Sequence, residues 1–271
     1  MVENKEIRFF REREPQKLPW KDLGIDVVVE STGVFTSFEK AKAHLDAGAK
    51  RVVLSAPSKD EAIPTFTPNV GFEVLSSGAI TSNASCTTNA TTPLVAILMN
   101  DPGIVKAMVN TVHGYTATQA LVDAPDAKDF RRGRAGAQNI VPSSTGAAEA
   151  VTQAIPSLKG VFDGIAMRVP IISGSIIDLT FLAKRKTSKE EINEILRKAA
   201  LIGTWEDIMK VSEEPLVSTD ILGEPYGSIV DLSLTRVTDG DLVKVCSWYD
   251  NEWGYSAMLI KHIQALEPSL T

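Results

Sequence analysis

Two short runs of β-branched residues bracket a helical pattern, and that order restricts the fold more than any other feature of the chain. Ile25-Asp26-Val27-Val28-Val29-Glu30 and Arg51-Val52-Val53-Leu54 read as buried strands, and residues 38–49, closed by Gly48, read as a helix. Strands joined through a helix run parallel, because a parallel pair needs a long crossover. Ligands of such sheets bind beyond the carboxyl ends of the strands. Those ends are Ser31-Thr32-Gly33 and Ser55-Ala56-Pro57. Residues 5–10 are expected to form a further short strand, and residues 57–78 to be turn-rich.

The pattern changes after residue 86. Residues 116–136 are polar, basic and weakly periodic. A loop of that length inside a compact domain is usually functional. Residues 144–155 read as a helix. Strand-like runs follow at 164–168, 175–182, 228–231 and 242–248. A helix is expected over 188–200, with Ser188 as cap and Glu191 three residues on, and a short one over 204–209. Residues 255–266 form a final amphipathic helix. Strands with few intervening helices imply a mixed or antiparallel sheet with helices on one face. The fold class is therefore α/β plus α+β.

The chain has 271 residues, 44% of them apolar and 23% charged, which suits one large or two ordinary globular domains. A net charge of −6 argues against nucleic acid as a partner. No apolar run approaches membrane-spanning length, and the charged N-terminus lacks a signal-peptide core, so the cytoplasm is the expected location. No Cys/His cluster has metal-ligand spacing, so no metal is expected. Two cysteines, Cys86 and Cys246, fit a reducing compartment with a thiol kept for chemistry.

Cys86 lies in Ser82-Asn83-Ala84-Ser85-Cys86-Thr87-Thr88-Asn89, between a strand-like run and a helix-like run. A thiol at a helix start sits near the positive end of the helix dipole, which favours the thiolate. The hydroxyls around it, with free helix N–H groups, suit an anion such as phosphate. His113, in Val112-His113-Gly114-Tyr115-Thr116, is the one histidine of three flanked by hydroxyls and glycine. A Cys86–His113 pair is expected to share a proton as a thiolate–imidazolium couple. A cysteine hydrolase uses the same pair, so the pair alone leaves the reaction open.

SNASCTTN, VHGYTATQ, Asp129-Phe130-Arg131-Arg132-Gly133-Arg134, Ser143-Ser144-Thr145-Gly146-Ala147-Ala148, Arg168-Val169-Pro170 and Trp248-Tyr249-Asp250-Asn251-Glu252-Trp253-Gly254-Tyr255 together resemble the glyceraldehyde-3-phosphate dehydrogenase family, in its order and spacing. The resemblance implies a Rossmann-like NAD or NADP domain over 1–85, completed by the C-terminal helix in 250–271, and a catalytic domain over 86–249. It implies phosphorylating oxidation of glyceraldehyde 3-phosphate through a Cys86 thioester, with His113 as acid and base. By the same resemblance Thr116, Thr118 and Arg168 hold the substrate phosphate. Ser85, Thr87, Thr145 and Gly146 hold the attacking phosphate, with Arg132 close to both. Asn251 holds the nicotinamide carboxamide, and Tyr255, Ser31, Thr32, Gly33, Phe35 and Ser55 face the dinucleotide. A homotetramer is implied, with the loop 116–138 at a subunit interface.

One departure is large. The family opens with a strand, a glycine-rich phosphate turn and a helix, and no G-x-G-x-x-G occurs here. The chain is therefore expected to start inside the family's first domain, as a fragment or a true short form, and to bind dinucleotide weakly. The residues that tell NAD from NADP lie in that opening part. The alternative function is a non-catalytic form of the fold, or a thiol esterase that needs no NAD.

Overall fold

The computed structural model describes residues 4–75, 78–127 and 129–270. Strand β1 (Val27–Glu30), helix α1 (Phe38–Asp46), strand β2 (Arg51–Leu54) and strand β3 (Ile80–Ser82) build a parallel sheet of order β1-β2-β3. Its register pairs Val28 with Val52 and Val53 with Thr81. Val28 of β1 and Val52 and Val53 of β2 are buried, whereas Val29 on the edge strand β1 is exposed. On one face Ala41 of α1 packs with Val52, Leu54 and Ile80. On the other, Val53 and Phe66 meet Leu259, Ile263 and Leu266 at the C-terminal end of the chain. The last helix, α5 (Trp253–Ala265), thus returns to the first sheet.

Helix α2 (Cys86–Asn100) follows β3 directly. Strands β4 (Ile104–Gly114), β5 (Val141–Ser144), β6 (Phe162–Val169), β7 (Ser175–Ala183), β8 (Met209–Ser212), β9 (Ser228–Thr238) and β10 (Leu242–Tyr249) form a mixed sheet of order β5-β6-β4-β7-β10-β9-β8. Helices α2, α3 (Ala147–Ala154) and α4 (Lys189–Ala200) cover one face, through Leu94, Leu98, Val151, Ile192 and Leu196 against Val109, Leu179 and Val245. The opposite face leaves Met108 and Ile165 exposed. Ser188 caps α4 by accepting from the Glu191 N–H, as its sequence spacing indicates.

Three expectations fail locally. Residues 5–10 form no strand; Ile7 and Phe9 are exposed and have no ladder to join. The helix expected over 204–209 is a set of turns leading into β8, because Met209 and Val211 alternate into the core beside β9. The helix expected from residue 144 begins at Ala147, because residues 141–144 pair antiparallel with β6 as β5. β5 is an edge strand, the one place in a sheet where Pro142 costs little.

Candidate active site

The site forms where the two sheets meet. β3 turns into α2 over three residues, with Ala84 in the left-handed region at φ 57°. Ser85 is the N-cap, and its Oγ accepts from the Thr88 N–H at 3.1 Å. Cys86 is therefore the first residue of α2, at the end where helix N–H groups lack intrahelical partners. The strand register of the second sheet sets the rest. Val141, Arg168, His113, Ser175 and Tyr249 stand side by side across β5, β6, β4, β7 and β10. This row brings His113 beneath the start of α2.

His113 is buried, and its Nε2 lies 3.4 Å from Cys86 Sγ. Its Nδ1 lies 2.7 Å from the Gly114 carbonyl oxygen and 2.6 Å from Arg168 Nη1. Tyr249 Oη bonds to Thr111 Oγ1 at 2.7 Å and to Thr87 Oγ1 at 2.9 Å, and its ring meets the His113 ring edge-on. Burial, then the Arg168 charge, lowers His113 to about 4, against a smaller pull from the Gly114 carbonyl. Burial raises the Cys86 thiol, opposed by the Thr87 N–H and by Arg168. Both shifts run against the thiolate–imidazolium couple expected from sequence, because burial disfavours the charged form of either group.

Around this pair are donors with nothing to bond. Arg168 Nε, Arg132 Nε and Gln119 Nε2 are buried without partners. Burying such groups is costly unless an acceptor meets them. Arg132 also lies near enough to Arg168 to disfavour its charge. Thr116 and Thr118 share a 3.0 Å hydroxyl contact, and Gln119 Oε1 accepts from the Thr116 N–H at 2.9 Å. Thr145 Oγ1 accepts from the Ala147 N–H at the start of α3, where Gly146 is the N-cap. Ser85 Oγ is 2.8 Å from Thr88 Oγ1. Thr87 differs from the others: its hydroxyl is held inside the protein by Tyr249. Arg131 is exposed, and Arg134 is paired with Asp123 at 3.0 Å.

On the other side, Asn251 Oδ1 accepts from the Gly174 N–H at 3.0 Å and from Ser175 Oγ at 2.9 Å. That fixes the amide and leaves its Nδ2 as a free donor. Tyr255 Oη is buried without a partner, and burial raises its pKa. Ser31, Thr32 and Gly33 are exposed beyond β1. Thr32 bonds through both N–H and Oγ1 to Glu30 Oε1. Phe35 meets His44 edge-on, and Ser55 Oγ reaches the Glu30 carbonyl at 3.4 Å. A free amide donor and a buried hydroxyl fit the carboxamide end of a nicotinamide dinucleotide.

Sequence reasoning missed six residues. Tyr249 reads as packing, although its alternation with the inward Val243 and Val245 marks it as facing the helices. Gln119 reads as part of a polar loop. Buried Glu30 and His44 and half-buried Trp20 form a chain, with His44 Nε2 donating to Glu30 at 3.0 Å and Trp20 Nε1 donating to His44 Nδ1 at 3.1 Å. His262, which meets Asn83 Nδ2 at 3.1 Å, reads as one more residue of the last helix. Among the described residues no group of His, Cys, Asp and Glu could hold a metal ion.

The chain matches two family models. One is the glyceraldehyde 3-phosphate dehydrogenase C-terminal domain, over residues 85–251. The other is the NAD binding domain of the same family, over residues 1–38. Glyceraldehyde-3-phosphate dehydrogenase of Mycobacterium tuberculosis (strain ATCC 25618 / H37Rv) is 51% identical over 256 residues, 94% of this chain and 75% of that protein. Glyceraldehyde-3-phosphate dehydrogenase B of Aspergillus oryzae is 46% identical over 260 residues, 96% of this chain and 77% of the relative. The Cryphonectria parasitica enzyme is 46% identical over 271 residues, 98% of this chain and 80% of its own. With a matched catalytic-domain model covering more than half its length and relatives at this identity, the chain belongs to the glyceraldehyde-3-phosphate dehydrogenase family.

Proposed function

We propose that the chain catalyses NAD(P)-dependent, phosphorylating oxidation of glyceraldehyde 3-phosphate to an acyl phosphate through a thioester on Cys86. The observation that carries this reading is the 3.4 Å approach of Cys86 Sγ to His113 Nε2 at the start of α2, flanked by the unpartnered donors of Arg132, Arg168 and Gln119. A hydrolase needs neither those donors nor the Asn251 amide.

The chemistry follows from the residues. His113 is a neutral base, so it takes the thiol proton as Sγ attacks the aldehyde carbon. The new oxyanion faces the α2 N-terminus, where N–H groups stabilise developing charge. His113 returns that proton to the oxygen, giving the Cys86 hemithioacetal, and takes it back as the hemithioacetal is oxidised to the thioester. NAD(P) would supply the hydride acceptor, and Asn251 and Tyr255 would hold its nicotinamide end. Inorganic phosphate attacks the thioester carbon and Cys86 leaves as the thiolate. Arg168, Thr116 and Thr118 hold the substrate phosphate. Thr145, Gly146, Ser85 and Thr87 hold the attacking one, with Arg132 close to both; the Thr87 hydroxyl itself is bonded to Tyr249.

Residues 1–85 with 250–271 serve the dinucleotide and 86–249 the chemistry, a division supported by the return of α5 to the first sheet. A homotetramer is supported by the apolar side chains Leu121, Val122 and Phe130 exposed on the 116–138 loop. No helix among the described residues is long and apolar enough to cross a membrane, and we place the protein in the cytoplasm. A steady-state assay with glyceraldehyde 3-phosphate, phosphate and either dinucleotide tests the assignment. Trapping of a Cys86 acyl adduct without phosphate supports it; aldehyde turnover in Cys86→Ala overturns it.

A further inference from the structure

We propose that His262 is a positioning residue for the nucleophile: its ring ties helix α5 to Thr81 and Asn83, and so fixes the turn that presents Cys86.

That turn needs fixing. Ala84 is fully buried at φ 57°, a conformation in which a Cβ crowds the following carbonyl oxygen. Such strain persists only where the surroundings over-determine it. The hydrogen bonds here do so. The Asn83 N–H donates to the Leu54 carbonyl at 2.9 Å, and the Ala84 N–H to Ser82 Oγ at 3.0 Å. Asn89 Nδ2 donates to the carbonyls of Asn83, at 2.9 Å, and Ser85, at 3.0 Å. The Asn83 side chain is the remaining handle, and its Nδ2 donates to His262 Nδ1 at 3.1 Å. With Nδ1 accepting, the ring proton sits on Nε2 and donates to Thr81 Oγ1 at 2.9 Å. Both ring nitrogens are thus spent on the strand and turn that lead to Cys86.

The environment selects for this role over simple filling. His262 is fully buried, with Phe66 edge-on at 4.7 Å. Burial lowers its pKa to about 3, so the ring stays neutral and keeps its donor–acceptor polarity at working pH. An apolar side chain fills such a site at lower cost, since a buried polar ring must have every nitrogen bonded. The helix that carries His262 also carries Tyr255 two turns earlier and begins just after Asn251. One ring therefore joins the helix bearing the dinucleotide-side groups to the turn bearing the thiol. The kinetic half of this inference rests on the proposed reaction; the thiol-reactivity half does not.

The test compares His262→Leu, His262→Asn and Thr81→Val in the full chain. The readouts are Cys86 alkylation by iodoacetamide without cofactor, mapped by mass spectrometry, and kcat and KM for the aldehyde. A misplaced reacting atom can cost up to about a hundredfold in rate. We expect His262→Leu to slow alkylation and lower kcat about tenfold, with KM within about twofold. His262→Asn keeps an acceptor for Asn83 and should restore both rates to within about threefold. Thr81→Val, which a strand accommodates even if His262→Leu fails to fold, should slow alkylation about threefold. Equal alkylation in wild type, Thr81→Val and either His262 variant would show that the ring only fills space. Altered alkylation in a protein that never oxidises the aldehyde would sink the assigned reaction and leave the positioning role standing.

Discussion

Arg168 and His113 stand opposite each other in the β4–β6 ladder, and Arg168 Nη1 lies 2.6 Å from His113 Nδ1. The same nitrogen is 2.7 Å from the Gly114 carbonyl oxygen. A neutral ring can accept from the guanidinium or donate to the carbonyl, and that choice decides whether Nε2 meets Cys86 as a donor or as an acceptor. A residue assigned to phosphate binding therefore also governs the base.

Removal of the guanidinium should make His113 more basic. In Arg168→Leu the His113 pKa is expected to rise from about 4 toward the ordinary 6.5, stopping short of it because burial is the larger cause. Ring-nitrogen NMR titration reads this directly. An unchanged or lower value would show that the guanidinium does not act on the ring.

Stability should fall in mild acid. His113 and His262 are lowered by burial to about 4 and about 3, against 6.5 when unfolded. Below 6.5 the unfolded chain binds more protons than the native one, so stability rises with pH through this window and is lost as pH falls. Urea midpoints should decline steadily from pH 6.5 toward 4. His262→Asn, which removes one of the two groups, should flatten the slope; an unchanged slope would count against a buried neutral His262.

The two cysteines should alkylate unequally. Burial raises both thiols, Cys246 to about 11 with Asp178 adding to it, but Cys86 is partly exposed and has Arg168 pulling it down, whereas Cys246 is buried. At pH 8 iodoacetamide should label Cys86 well before Cys246, with only a small thiolate fraction driving the reaction. Equal labelling at both sites would contradict this reading.

Phosphate or sulfate should stabilise the ligand-free protein through the unpartnered Arg132, Arg168 and Gln119 donors. At ten times Kd the gain is about 1.4 kcal/mol by linkage, or roughly 3–5 °C in Tm for a chain of this size. Arg132→Ala should remove much of it. An anion-independent Tm in the parent protein would show that the pocket holds no anion.

The local order of the chain was legible because each of its signals is local. The β-branched runs at Val27–Glu30 and Arg51–Leu54, the Ser188 cap and the Cys86 turn depend on backbone preference and on neighbours a few residues away. The chemistry-bearing residues were legible for the same reason, as unusual side chains at strand and helix ends. The 204–209 and 144–146 segments misled because their true state depends on β9 and β6, partners remote in sequence.

Tertiary structure alone decided the electrostatics. From sequence, Cys86 and His113 are a ready-charged pair; in the fold, desolvation disfavours both charges, while the Arg168 charge disfavours the imidazolium and favours the thiolate. No spacing rule could reveal that, since the cost of burying a charge depends on everything packed around it. Nor could the sequence reveal the bond from Asn83 to His262, 179 residues apart, or the row of Arg168, His113, Ser175 and Tyr249. Those contacts exist because strand register and helix docking bring together residues that local preference treats as independent.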